Sequence, residues 1–250
     1  MSYHSPTKGK DETLDTFYHG RILVLQKKKG YRFAVDAPLL ADFVQTTASD
    51  ECLELGTGSG IIALLLSIKS FKHITAVEIQ ESLADLARRN VQLNNLKERI
   101  AVVEEDIRLL SPLKKYDVIF SNPPYIRARE GRLSDSREKS IAKHEVKCGI
   151  FDIMQKTSEL LKKKGRAYFI YAVKRKKDLI NAAEEHGLKA KAMRFVYPRK
   201  EEEPNLFLVE CDFTSTEIDV LPSLFLRDEK GRYTKEALEI FSGRIHASNS

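Results

Sequence analysis

The sequence predicts an α/β fold, in which a mainly parallel sheet is covered by helices on both faces. From Glu51 onward, short apolar runs rich in β-forming residues alternate with segments of helical periodicity, the pattern of strand–helix–strand units. In "LELGTGSGIIALLL" alternating glycines separate an apolar run from a helical segment. In "YDVIFSNPPY" an apolar run stops at two prolines, which indicates the end of a strand.

Seven strands and four connecting helices are predicted along this part of the chain. The predicted strands are "ECLEL", "HITAVEI", "IAVVEE", "YDVIFS", "RAYFIYA", "AKAMRFVYP" and "NLFLVECDF". The predicted helices span residues 60–70, 81–93, 150–163 and 176–186, and the last stops at Gly187, which suits a left-handed C-terminal position. The polar connector "PRKEEEP" between the last two strands is short enough for an antiparallel hairpin.

A small extension is predicted before the sheet. The segment "RILVLQKKKGYRFAVD" predicts two short strands joined by a basic turn that ends at Gly30, and "DAPLLADFV" predicts a helix with Pro38 near its first turn. The polar start of the chain predicts disorder over residues 1–16. The predicted organisation is therefore a disordered stretch over 1–16, an extension over 17–48, and a main domain with a C-terminal tail over 49–250.

Composition excludes several classes of protein. The 250 residues are 42% hydrophobic and 31% charged, which fits one large domain, and no apolar run reaches the ~20 residues that span a bilayer. The start lacks the apolar core of a signal peptide. Cys52, Cys148 and Cys211 are too far apart for a metal spacing or a disulfide framework, so a reducing cytoplasm is expected. The net charge of +6 favours polyanionic partners.

Three acids lie at the carboxyl ends of three successive predicted strands, and the first precedes the glycine turn. The turn residues are Gly56, Thr57, Gly58 and Gly60. Glycines let the backbone turn sharply and approach a ligand closely, and a carboxylate at Glu54 favours a ligand with a free ammonium over a pyrophosphate. Glu78 is placed to accept hydrogen bonds from the hydroxyls of a ribose. Asp106 is placed to accept a hydrogen bond from the exocyclic amine of adenine, and Ile107 to pack against the adenine ring. The alternatives are a ligand-free turn and, for Glu78, an ordinary acid at a helix start.

These residues resemble those of the class I S-adenosylmethionine-dependent methyltransferases, and the resemblance covers residues 51 to about 213. It implies a Rossmann-like sheet of seven strands, the last antiparallel, with helices on both faces. It also implies S-adenosylmethionine as cofactor, S-adenosylhomocysteine as product, and no metal. The residues that it assigns to the cofactor are Glu54, Gly56, Thr57, Gly58, Gly60, Glu78, Ile79, Asp106, Ile107 and Asn122.

The stretch "FSNPPYIRARE" follows the fourth predicted strand at the same sheet edge. An exocyclic or amide nitrogen is a poor nucleophile because its lone pair is delocalised, and two oxygen acceptors for its hydrogens stabilise the charge that develops on attack. Asn122 offers a side-chain carbonyl and Pro123 a backbone carbonyl, whose geometry Pro124 restricts. Tyr125 offers a planar face for a base. The alternative is a proline turn without chemistry. The motif resembles that of amino-methyltransferases acting on adenine N6, cytosine N4 or glutamine, so it indicates the reaction and not the substrate.

Further segments favour RNA as the substrate. A basic loop follows the motif, and its Arg127, Arg129, Lys143 and His144 are predicted RNA contacts; a solvated loop is the alternative. The segments "GYRFAVDAPLLADF", "AKHEVKCGIFDIMQKTSELLKKKGRAYFIY" and "LPSLFLRDEKGRYTKEALEIFSG" resemble the bacterial tRNA adenine-N6 methyltransferases that modify the adenosine beside the anticodon of a valine tRNA. That resemblance runs from about residue 17 to 243. It implies a tRNA substrate and places Phe33 and Asp36 near the methionine end of the cofactor.

Other functions remain open at this point. One is N5-methylation of glutamine in release factors, although those enzymes usually carry a larger helical N-terminal domain than the roughly fifty residues before the glycine turn. Others are N6-adenine methylation of another RNA or of DNA, and a non-catalytic RNA-binding module. No membrane association and no obligate protein partner are expected.

Overall fold

A computed structural model of the chain describes residues 8–28, 35–111, 113–123 and 148–243. The strands are β1 Glu12–Phe17, β2 Ile22–Lys27, β3 Glu51–Leu55, β4 His73–Glu78, β5 Ile100–Glu104, β6 Tyr116–Ser121, β7 Leu161–Ala172, β8 Lys189–Arg199, β9 Leu206–Asp212, β10 Asp219–Val220 and β11 Leu224–Arg227. The α-helices of these residues are α1 Asp36–Phe43, α2 Ile61–Leu66, α3 Glu81–Leu93, α4 Ile150–Leu160, α5 Lys176–Glu185 and α6 Lys235–Phe241.

The seven predicted strands form one continuous sheet in the order β5-β4-β3-β6-β7-β9-β8. Strands β3 to β7 are parallel to one another, and β9 is antiparallel to both β7 and β8. The predicted α/β sheet with an antiparallel last strand is therefore confirmed. Two short strands of the C-terminal tail, β10 and β11, both pair in parallel with β8 and bring the sheet to nine strands.

Helices cover both faces of this sheet, because each face buries its own apolar cluster. One cluster contains side chains of α1, α2 and α6, and the other contains side chains of α4 and α5. Strand β3 contributes to both in alternation, with Cys52 in the first cluster and Leu53 and Leu55 in the second. A strand that is apolar on both sides is typical of a buried parallel sheet.

The N-terminal hairpin differs from the predicted one in its first strand. Strand β2 pairs antiparallel with β1, which precedes it, through a turn in which Tyr18, His19 and Gly20 have positive φ. The second strand predicted after the basic turn at Gly30 falls on residues 31–34, outside the described residues, so its pairing with β2 stays a prediction. Residues 12–16 belong to β1, so the prediction of disorder over 1–16 is wrong for them. Their order comes from pairing with β2, which local composition does not reveal.

Asn90 of α3 and Asn94, the residue directly after this helix, attach the hairpin to the sheet domain. The side-chain amide of Asn90 donates to the carbonyl oxygen of Leu25 (3.0 Å) and accepts from its N–H (2.7 Å). Asn94 repeats the pattern on Leu23, at 2.7 and 2.9 Å. Each amide thus pairs with β2 as a neighbouring strand would, which satisfies buried backbone groups that otherwise carry a free-energy penalty. Asn90 also donates to the Ser59 carbonyl (2.9 Å), inside the glycine turn.

Some predicted boundaries shift. The predicted helix over 150–163 ends at Leu160, because Leu161 pairs with Tyr116 of β6 and begins β7. The predicted helix over 60–70 is the shorter α2, Ile61–Leu66. The helix over 81–93 forms as predicted, and Gly187 has φ +76° directly after α5 and His186.

Candidate active site

The predicted site residues meet at one edge of the sheet, since β6, β3, β4 and β5 are adjacent and parallel. Glu54 is the penultimate residue of β3 and Glu78 the last of β4. Asp106 follows β5, and Asn122 follows β6 directly. The carboxyl ends of adjacent parallel strands, where the order of strands reverses, are where open α/β sheets bind ligands.

The glycine turn folds over the end of β4. The N–H groups of Gly56 and Thr57 both donate to the Val77 carbonyl, at 3.0 and 2.9 Å. Gly56 has φ +76°, and a Cβ placed there would meet no atom within 4 Å. Gly60 has φ +85°, and its Cβ would lie 3.3 Å from that of Ala87 in α3. Gly60 is therefore needed for close helix packing, whereas Gly56 faces open space beside the strand ends.

Glu78 holds both this turn and the start of the next helix. Its Oε2 accepts from the Gly58 N–H (2.9 Å), and its Oε1 accepts from the Gln80 N–H (2.9 Å). The side chain is buried, and the two bonds fix the carboxylate in place. Each carboxylate oxygen has a second lone pair, so both retain the capacity to accept a ligand hydroxyl. Ile79, the next residue, is 47% exposed.

The carboxyl group of Glu54 has a hydrogen-bond partner for only one of its two oxygens among the described residues. It is fully buried, and its Oε2 accepts from the Thr57 hydroxyl at 2.6 Å. Its Oε1 is buried and has no hydrogen-bond partner among the residues that the structure describes. Burial raises the pKa of the carboxyl group from 4.5 to about 8, against the opposing effects of the Thr57 hydroxyl and the Ala63 backbone N–H. A buried acceptor of this kind fits a cationic hydrogen-bond donor.

We expect Glu54 to make the free energy of unfolding fall as the pH rises from about 4.5 to 8. In that window the folded protein binds a proton that the unfolded chain has lost, so stability declines by up to about 1.4 kcal/mol per pH unit. The variant Glu54→Gln cannot titrate there and should lack this contribution. Urea unfolding of both proteins at several pH values measures the difference, and parallel profiles would contradict a raised pKa.

Asp106 is already engaged in an ion pair. Its Oδ2 lies 2.5 Å from Nη2 of Arg108, and its Oδ1 accepts from the Arg108 backbone N–H at 2.9 Å. The Arg108 guanidinium lowers the pKa of the carboxyl group, so Asp106 is held as an anion. For Asp106 to accept the amine of an adenine, as the sequence predicts, the exposed Arg108 side chain must give up part of this contact. Ile107, the adjacent apolar residue, is buried.

Asn122 is positioned by the residue before it. The Ser121 hydroxyl is buried and donates to the Leu55 carbonyl at 2.6 Å, where the β3–β6 ladder ends. Leu55 immediately precedes Gly56, so this bond ties the start of the Asn-Pro-Pro-Tyr motif to the start of the glycine turn. Asn122 is partly exposed, and Pro123 is buried.

Several predicted site residues lie outside the described ranges. They are Phe33, Pro124, Tyr125, Arg127, Arg129, Lys143 and His144. Asp36 is described and is the first residue of α1.

Three residues with a part in the site were not predicted: Ser121, Asn90 and Arg108. Asn90 carried a detectable signal, since it is a polar residue on the buried stripe of α3. Ser121 and Arg108 carried none, because only contacts between strand ends give them their positions.

Comparison with known proteins identifies the class of enzyme. The model of the family described as methyltransferase small domain matches residues 32–180, more than half of the chain. The chain belongs to this family. As a member of the methyltransferase small domain family, it has its strand-end acids, its glycine turn and the first half of its Asn-Pro-Pro-Tyr motif at one sheet edge.

Individual relatives of this methyltransferase cover most of its length. It is 26% identical over 222 residues to a tRNA1(Val) (adenine(37)-N6)-methyltransferase of Parabacteroides distasonis, covering 88% of this chain and 93% of that protein. It is 29% identical over 182 residues to a protein of the same name from Aliivibrio fischeri, and this match covers 72% of this chain and 77% of that protein. A solved structure of a predicted O-methyltransferase from Agrobacterium tumefaciens matches 86% of this chain and all of its own, with a TM-score of 0.67 at 21% identity, and supports the fold.

The described ranges contain neither a cluster of metal-ligating side chains nor a helix that could span a membrane. Within residues 8–28, 35–111, 113–123 and 148–243, no cluster of three or more His, Cys, Asp or Glu side chains is arranged to hold a metal ion. The helices of these ranges are all too short or too polar to cross a membrane.

Proposed function

We propose that this methyltransferase transfers the methyl group of S-adenosylmethionine to the exocyclic N6 of an adenine in tRNA, next to the anticodon of a valine tRNA. The observation that carries the proposal is the attachment of Ser121 to Leu55, which fixes Asn122 and Pro123 beside the glycine turn. The two residues proposed to bind the target nitrogen would thereby lie next to the proposed cofactor cradle. The names of the two relatives support adenine N6 and tRNA as the target.

Two features of the cradle support S-adenosylmethionine as the cofactor. Gly56 faces space that a Cβ would enter, which lets the backbone lie against a ligand. The unpartnered Oε1 of Glu54 suits the ammonium of the methionine moiety, and that contact would favour the ionised carboxylate over the protonated form. Glu78 would accept the ribose hydroxyls, with Ile79 beside it, and Asp106 and Ile107 would bind the adenine. Phe33 and Asp36 complete the proposed set at the methionine end.

The chemistry asked of the protein is modest. When bound, S-adenosylmethionine supplies an electrophilic methyl group, which the amine nitrogen takes up as the carbon–sulfur bond breaks. The Asn122 side-chain oxygen and the Pro123 carbonyl would accept the two amine hydrogens, orient the nitrogen lone pair and stabilise the positive charge that develops. One such contact contributes about 3 kcal/mol in the transition state, by analogy with single oxyanion-hole donors. The methylated nitrogen then loses a proton to water, so no general base is required.

Substrate binding is assigned to the second half of the motif and to the residues after it. Pro124 would restrict Pro123 to extended geometry, and Tyr125 would stack on the target base. Arg127, Arg129, Lys143 and His144 would contact the RNA. The target base must leave its stack to reach this edge, which costs a few kcal/mol in a duplex and less in a loop.

The proposal is tested by incubating the protein with labelled S-adenosylmethionine and either total tRNA or release factor. We expect label in tRNA, and nucleoside mass spectrometry of the product should show N6-methyladenosine. In a strain that lacks the protein, the same modification should be missing at one tRNA position.

Label in release factor alone would overturn the proposal in favour of glutamine N5-methylation, which uses the same pair of carbonyl acceptors. Label in neither, together with no binding of S-adenosylmethionine by calorimetry, would favour a non-catalytic module. Label in another RNA or in DNA would retain the reaction and reject the tRNA substrate.

A further inference from the structure

A cluster of four cations, Lys174 to Lys177, lies at the catalytic edge of the sheet. Strand β7 is the parallel neighbour of β6, with Phe169 in register with Ser121. It continues to Ala172, three residues further toward the edge at which Asn122 lies. The cations come directly after it, in the turn Val173–Arg175 and the first residues of α5. From strand rise and spacing, Lys174 is on the order of 10 Å from Asn122.

Two of the four cations serve the fold. Arg175 is paired with Asp178 (3.0 Å) and lies 5.3 Å from the centre of the Tyr171 ring. The Lys176 ammonium lies 5.3 Å from the centre of the Phe195 ring, on strand β8, which is two strands from β7. These contacts fix the backbone of the turn and therefore the direction in which the remaining two side chains leave it.

Lys174 and Lys177 have no such role. Both are exposed, and neither is within ion-pairing distance of a carboxylate of the described residues. At the opposite end of the sheet many cations are neutralised. The pairs there are Lys72–Glu51, Lys114–Glu51, Lys162–Asp117 and Arg166–Asp50. Lys174 and Lys177 are therefore exposed cations, unpaired within the described residues, at the end of the sheet that carries the site.

The position is also unfavourable for the helix that it opens. Exposed N–H groups give the first turn of a helix a partial positive charge, so cations there oppose the helix dipole. In the first turn of α5 the acidic residue is Asp178, which is already paired with Arg175. Lys174 and Lys177 therefore do not stabilise the fold at this position. Binding of a polyanion at this edge would account for two lysines there.

We infer that Lys174 and Lys177 contact backbone phosphates of the RNA on the side of the target nucleotide opposite the glycine turn. The inference rests on the proposed function, because a phosphate backbone passes this point only if a nucleotide enters the site at Asn122. A lysine side chain contacts a phosphate without reading a base. These two residues therefore contribute affinity and orientation, while the choice of base belongs to the Asn-Pro-Pro-Tyr motif.

The double variant Lys174→Ala/Lys177→Ala tests this inference in the full-length protein. We expect tRNA affinity, measured at low salt by fluorescence anisotropy, to weaken about 10- to 100-fold. The slope of log affinity against log salt concentration should fall by about 1.4 to 1.8, because each phosphate contact contributes about 0.7 to 0.9. Turnover at saturating tRNA and the affinity for S-adenosylmethionine should change less than about twofold.

The same strand provides a matched control. Lys163 and Lys164 are exposed lysines at the other end of β7, separated from the cation cluster by at least the stretch from Arg166 to Ala172, about 20 Å by strand rise. The variant Lys163→Ala/Lys164→Ala removes the same charge and should leave the salt slope near that of the wild type. Equal slopes for the two double variants would overturn the inference while leaving the proposed function intact. A wild-type protein that methylates no tRNA would overturn both.

Discussion

Replacing Asn122 by alanine is expected to lower kcat by about 100- to 1,000-fold, the loss found when one preorganised group at a reacting centre is removed. The side-chain oxygen proposed to accept an amine hydrogen is lost, and the nitrogen is left with the Pro123 carbonyl alone. Cofactor affinity should stay within a few-fold of the wild type, because the glycine turn and its acids are unchanged. Single-turnover kinetics with tRNA measure the first quantity and calorimetry the second.

Asn205 provides the matched control for this substitution. It is an exposed asparagine at the same sheet edge, at the start of β9, two strands from β6. Its N–H donates to the Val196 carbonyl and its carbonyl accepts from the Val173 N–H, and both backbone bonds survive in Asn205→Ala. Normal turnover in Asn122→Ala would refute the proposed mechanism. A loss of cofactor affinity as large as the loss of kcat would reassign Asn122 to cofactor binding.

Replacing Glu78 by alanine is expected to weaken S-adenosylmethionine binding by about 100-fold or more. Hydrogen bonds to a charged group contribute about 1.5 to 3 kcal/mol each, and two ribose hydroxyls would lose their acceptor. Each 1.4 kcal/mol of lost binding free energy raises the dissociation constant about tenfold. The turn is also expected to loosen, because the Gly58 N–H loses the oxygen that it contacts at 2.9 Å. Isothermal titration calorimetry measures the affinity, and urea unfolding measures the stability.

Glu104 separates the role of position from that of charge. It is in register with Glu78 on the adjacent strand β5, but it is exposed and paired with Arg88 at 3.1 Å. Glu104→Ala removes the same charge one strand away and should leave cofactor affinity nearly unchanged. Glu78→Gln, which keeps the size of the side chain, should fall between wild type and alanine. Wild-type affinity in Glu78→Ala would refute the assignment of the ribose to this residue.

Much of this protein follows from local pattern. The seven strands were recognisable because parallel strands buried on both faces form short continuous apolar runs, as in "ECLEL". The apolar face of α3 and the end of the helix before Gly187 could be predicted in the same way. The acids and Asn122 could be grouped from the sequence because each lies at or directly beyond the carboxyl end of a strand, and parallel strands of one sheet end at one edge.

The parts that were mispredicted or missed depend on partners distant in the chain. Strand β1 is polar, and only its pairing with β2 orders it. Leu161 belongs to β7 and not to the preceding helix, because Tyr116 of β6 offers it a strand partner. The short strands β10 and β11 form against β8 and are too brief for any periodicity to show.

The sheet, the order of its strand-end residues and the type of reaction follow from local sequence pattern and from the family resemblance. The hydrogen bonds and ionisation of those residues depend on the fold. It ties Ser121 to Leu55, leaves one oxygen of Glu54 buried without a partner among the described residues, and pairs Asp106 with Arg108. Periodicity reports which face a residue presents, whereas hydrogen bonding and pKa depend on atoms that only folding brings within 3 Å.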